Sequence, residues 1–110
     1  MSDRAVMMKV NSKINIPIDA VKDFSRRHHI RKLSLFGSVL RDDFGPESDV
    51  DVLVEFEPDA KVGFFKLYDI EQELSDLFGG RRVEINTSRS LSKYFRNEVL
   101  AEASVVYDKA

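Results

Sequence analysis

Cysteine is absent from the 110 residues, so the chain forms no disulfide and presents no thiolate to a zinc ion. Long apolar runs are missing too. None approaches the length needed to cross a bilayer, and no signal-peptide pattern opens the chain. The expectation is a cytoplasmic protein with no membrane partner. A basic excess is also lacking. Lys and Arg number 17 against 19 Asp and Glu, a formal net charge of −2, which argues against a dedicated nucleic-acid binder. No internal repeat or low-complexity segment occurs. What is there is 43% hydrophobic and 33% charged residues, the balance of one soluble globular domain. A domain of this size buries a real core but leaves no room for a second, substrate-binding domain.

Residues 1–13 are polar and mixed, and Met7, Met8 and Val10 set no period. A loosely ordered N-terminus is expected there, with residues 14–110 forming the single domain. Pro17 suits a first helical turn, and Ile18, Val21 and Phe24 recur at helical spacing, which predicts a helix from about Pro17 to His28. A basic cluster of Arg26, Arg27, His28, His29, Arg31 and Lys32 follows. Favourable charge at the negative end of the helix dipole accounts for it better than phosphate contact or an acidic docking partner. The adjacent histidines point apart and do not share a metal.

Strands are predicted at Lys32 to Phe36, Val50 to Phe56 and about Arg82 to Asn86, with a last short one at Ser104 to Tyr107. A short helix begins at Ser38, and Phe44 to Glu47 reads as a turn. The longer helix, about Phe64 to Phe78, carries Leu67, Ile70, Leu74, Leu77 and Phe78 as its apolar stripe and ends at Gly79-Gly80. Phe64 and Phe65 read as core or lid packing more than as a surface on which a base stacks. Thr87, Ser88 or Ser90 can cap the final helix, about Leu91 to Ala103, in which Leu91, Phe95 and Val99 stand at four-residue steps. The order is α, β, short α, β, α, β, α, β. That is an α/β (α+β) arrangement, a small mixed sheet with helices packed on one face.

The stretch from Leu33 to Phe56, LSLFGSVLRDDFGPESDVDVLVEF, organises the rest. Alternation puts Asp49 and Asp51 on one face of their strand, roughly 7 Å apart, while Val50, Val52, Val54 and Phe56 take the other. Val83 and Ile85 likewise turn Glu84 outward, onto the face of the aspartates. Three converging carboxylates repel one another unless cations neutralise them, so a magnesium site is the natural account. Gly37 lets the backbone approach a phosphate, and Ser38 offers a hydroxyl and an N–H at a helix start; alone, the pair is also an ordinary turn with a serine N-cap. Arg41 reaches either a phosphate or a carboxylate such as Asp43. Ser48 caps or orients the start of the second strand.

Together these residues resemble the nucleotidyltransferase superfamily of the DNA polymerase β type. Gly37-Ser38, a spacer, Asp49-x-Asp51 and a later carboxylate, Glu84, carry the pattern. Arg41, Ser48 before Asp49, Leu53-Val54-Glu55-Phe56 and Val83-Glu84-Ile85-Asn86-Thr87 bring it closer to the minimal nucleotidyltransferases. The resemblance runs from about residue 17 through the final helix. It implies catalytic and metal-ligating roles for Asp49, Asp51 and Glu84, and nucleotide binding by Gly37, Ser38 and Arg41. Two Mg2+ ions and ATP as substrate come with it. One residue departs from the family: its third carboxylate is usually aspartate, and Glu84 is one methylene longer.

The resemblance further implies transfer of AMP from ATP to a tyrosine hydroxyl of a small helical HEPN-domain toxin, with this chain as antitoxin. A homo-oligomer is compatible with this. Two alternatives stand beside it. One is a nucleotide-binding module with an impaired Glu84 site, neutralising its partner by forming a complex. The other is a small-molecule, aminoglycoside-type transferase, which the missing second domain disfavours.

Overall fold

The structure, a computed structural model, describes residues 7–11, 14–41, 44–45, 47–87, 90–91 and 93–109. Its centre is a four-stranded mixed sheet in the order β5-β4-β3-β6, formed by β3 (Ile30–Phe36), β4 (Val50–Phe56), β5 (Val83–Asn86) and β6 (Ser104–Asp108). β3 runs antiparallel to both β4 and β6, and β4 runs parallel to β5. A parallel pair needs a crossover, and α2 (Phe64–Leu77) supplies it. Ahead of the sheet, β1 (Met7–Asn11) and β2 (Ile14–Pro17) pair antiparallel with a register shift between Met8 and Asn11. The scattered apolar residues of that stretch gave no sign of this hairpin.

Alternation along the two central strands sets up the core. Leu33 and Leu35 on β3 stand opposite Val54 and Val52 on β4 and are buried with Val50 on one face. Against that face pack Val21 and Phe24 of α1 (Ile18–Arg27) and Ile70, Leu74 and Phe78 from α2 and its end. Each such side chain, fully buried, contributes roughly 1.5–3 kcal/mol. Ser34 and Leu53 face each other on the opposite side of the sheet and are buried as well.

Pro17 ends β2 and sits at the N-cap position, so α1 begins one residue later than the proline pattern predicts. Gly79 and Gly80, at φ 75° and 85°, turn the chain out of α2, and the Gly80 N–H donates to the Ser75 carbonyl at 2.9 Å. Four residues of the basic cluster, Arg27, His28, His29 and Arg31, are paired within the molecule. Arg27 pairs with Asp23 at 3.0 Å and with Glu73 of α2, while His28 Nε2 lies 2.9 Å from Glu73 Oε1. Arg31 meets Glu55 at 2.8 Å, and His29, at φ 57°, faces Glu57. The Glu71 carboxylate accepts the Ile85 N–H at 3.3 Å, occupying a donor of edge strand β5.

One expectation about apolar residues is corrected. Phe64 and Phe65 open α2 but are 90% and 92% exposed, so neither packs into core or lid. Along α3 (Lys93–Glu102) and the residue leading into it, Leu91 and Val99 are half-buried but Phe95 is exposed. Thr87 and Ser90 close a turn on each other, the Ser90 N–H donating to Thr87 Oγ1 at 3.2 Å; Ser88 lies outside the described residues. Among the described residues no helix is long and apolar enough to cross a membrane.

Candidate active site

At the end of β3 the chain turns through a single 3-10 turn, Gly37–Leu40, directly beside the start of β4. Phe36 stands level with Asp51, which brings the turn up against the aspartate. Gly37 takes φ 76°, a conformation that side chains disfavour, and a Cβ there would lie 2.4 Å from Asp51 Oδ2. Glycine thus suits the position by its backbone conformation and lets the Asp51 carboxylate lie against the turn. The turn is too short to carry a substantial helix dipole. Ser38 makes no N-cap bond; its hydroxyl donates to the Asp49 carbonyl at 3.3 Å. That bond ties the turn to the backbone of the first aspartate.

Asp49 immediately precedes β4, and Asp51 is its second residue. Asp51 pairs in register with Glu84 on parallel β5, so both side chains leave the same face. Burial holds the Asp51 carboxyl above the ordinary carboxylate range, and the charges of Glu84 and Asp49 push it the same way; Arg41 opposes them. Glu84, Asp49 and Arg41 thus each act on the charge of Asp51. Glu84 itself is exposed. The alternative partner for Arg41, Asp43, lies outside the described residues.

Among the described residues no group of three His, Cys, Asp or Glu side chains stands ready to hold a metal ion. Magnesium does not require one, because it is usually bound by one or two carboxylates together with substrate phosphates. The donors here suit it. All are hard oxygens, a partly desolvated carboxylate feels the charges of two others, and the bare Gly37 backbone lets the Asp51 carboxylate lie against it.

Arg82 was not singled out by sequence reasoning. Its Nε lies 3.8 Å from Asp49 Oδ1, and its carbonyl accepts the Val50 N–H at 2.9 Å. The available signal was its position two residues before Glu84, which puts both on one side of the extended chain. Its neighbour Arg81 has a structural task. It donates to the Gly45 carbonyl at 3.0 Å, and its guanidinium lies 4.5 Å from the Phe44 ring centroid, pinning the turn before β4. Within that turn the Gly45 N–H donates to the Ser48 hydroxyl at 3.0 Å.

Comparison with known proteins follows the same lines. The family model described as "Polymerase beta, Nucleotidyltransferase" matches residues 19–110. Protein adenylyltransferase MntA of Thermococcus cleftensis is 35% identical over 86 residues, covering 78% of this chain and 82% of that protein. A solved structure assigned to a minimal nucleotidyltransferase is 34% identical, with a TM-score of 0.65 over 78% of this chain and 85% of its own. Two more distant structures, both 17% identical, share the fold. A toxin–antitoxin with AMP-PNP superposes with a TM-score of 0.66, covering 83% of this chain and 73% of its own. A tri-AMPylated Shewanella oneidensis HEPN toxin in complex with MNT antitoxin superposes at 0.59, covering 83% and 69%.

Proposed function

The chain belongs to the polymerase β nucleotidyltransferase family, and on that premise we propose that it transfers AMP from ATP to a hydroxyl of a protein partner. The observation that carries this reading is the packing of the Gly37-Ser38 turn against the Asp49–Asp51 pair, with Glu84 in register beside Asp51. Gly37 leaves the backbone bare where phosphate oxygens approach. Asp49 and Asp51 are the residues that would hold magnesium, and Arg41 balances the phosphates from the side of β3. Magnesium, when bound, supplies charge neutralisation to the attacking and leaving oxygens.

In the transfer, the acceptor oxygen forms a bond to the α-phosphorus as the bond from that phosphorus to the bridging oxygen breaks. Pyrophosphate leaves with that electron pair. The hydroxyl proton passes to the Glu84 carboxylate, the one acid of the three whose residue is exposed rather than half-buried. The partner class is supported by the related complexes, which hold a HEPN toxin with its MNT antitoxin. We read the acceptor as a tyrosine of such a helical toxin and this chain as its antitoxin.

One observation favours a second reading. Glu84 stands exposed where the family pattern has the shorter aspartate, so the chain could bind nucleotide and neutralise its partner by complex formation alone. Replacing both aspartates tests the shared premise. Asp49→Asn with Asp51→Asn should weaken magnesium-dependent ATP binding at least tenfold, about 1.4 kcal/mol. Unchanged affinity by calorimetry would contradict the site.

A further inference from the structure

Two arginines flank the acidic pair from opposite sides. β4 lies between β3 and β5. Arg41 follows the turn that leaves β3 and acts on Asp51; Arg82 leads into β5 and meets Asp49. Under the reading above, the β3 side, with Gly37, Ser38 and Arg41, takes the triphosphate. The β5 side, with Glu84, then faces the acceptor. Arg82 shares that side with Glu84.

The hold on Arg82 is loose. At 3.8 Å its contact with Asp49 is an ion pair without a full hydrogen bond, and its side chain is 82% exposed. Arg81, by contrast, is spent on the Phe44–Gly45 turn. Once Asp49 is engaged by the nucleotide and its cation, Arg82 loses its counter-ion. A guanidinium so released, two residues along the chain from Glu84, is open to a carboxylate of the acceptor, which its planar fork suits.

We propose that Arg82 selects the acceptor, favouring a hydroxyl flanked by acidic residues in the partner protein. This rests on the protein-acceptor reading and goes beyond it, by naming the chemistry of the segment that carries the hydroxyl. Arg82 binds the acceptor and takes no part in the bond changes. Its carbonyl bond to Val50 survives side-chain replacement, so variants at this position keep the strand pairing.

The experiment uses two fluorescent tyrosine peptides, alike except for acidic or basic flanks. Anisotropy reads their binding to the protein with ATP and magnesium, and intact mass reads AMP addition. Wild type should favour the acidic peptide about five- to tenfold, with the difference in KM. Arg82→Gln should level the two peptides, and Arg82→Glu should reverse the preference. A preference for acidic flanks that persists in Arg82→Glu overturns the assignment, as does a wild type indifferent to the flanks. So does an Arg82→Gln defect confined to ATP affinity, which would put Arg82 on the nucleotide side. If peptide binding follows the charge swap but no peptide gains AMP, Arg82 selection stands and the transfer reading falls.

Discussion

Asp51 and Glu84 occupy paired register positions on parallel strands, so two carboxylates leave one face of the sheet side by side. With burial as the larger cause, this neighbour keeps the Asp51 carboxyl protonated to a higher pH than its ordinary value of 3.8. Below that value the group is protonated in both folded and unfolded chains. As pH rises above it, the unfolded chain releases its proton first, so folding stability falls until the folded carboxyl has also ionised. Asp51→Asn removes that loss. The variant should be more stable than wild type at neutral pH, and the gain should vanish in acid below the ordinary aspartate range. Urea titrations at the two pH values check this; a variant less stable than wild type at neutral pH contradicts it.

Gly37→Ala meets two obstacles. The positive φ costs a non-glycine residue about 1–2 kcal/mol. The new methyl group would press on Asp51 Oδ2, the far end of a side chain that can turn away. The fold should therefore survive with a loss of about that size, while magnesium-dependent ATP binding falls by roughly tenfold or more. Thermal denaturation and calorimetry on the same sample separate the two effects. Normal ATP binding in this variant would show that the Gly37–Asp51 approach has no role.

Glu84→Gln keeps shape and removes charge. Asp49 and Asp51 remain to hold the cation that arrives with ATP, so nucleotide affinity should stay near that of wild type. Transfer should drop by about a hundredfold or more, the range of a lost general base. Transfer at the wild-type rate would remove Glu84 from the chemistry.

Much of this was legible in the chain because short-range patterns dictate it. Alternation of Val50, Val52 and Val54 put Asp51 on the face away from the core, and the Val83–Ile85 pair did the same for Glu84. Both placements follow from a strand's period of two, whatever packs against it. What escaped depends on contacts distant in sequence. Glu73 gathers Arg27 and His28 across the α1–α2 contact, and no local spacing announces that partnership. The Ser38 hydroxyl reads equally well as a cap, and only the approach of β4 sends it to the Asp49 carbonyl. Arg82 looked like an ordinary charge opening a strand until strand order brought it to Asp49. Phe64 and Phe65 misled because aromatic character signals burial only where something exists to cover it.

The most direct test is the intact mass of a HEPN-domain partner after incubation with this protein, ATP and magnesium. The account predicts that the partner gains one or more AMP units and that the Asp49→Asn, Asp51→Asn variant adds none. A partner that stays at its original mass while the wild-type protein demonstrably binds both it and ATP would contradict the transfer reaction.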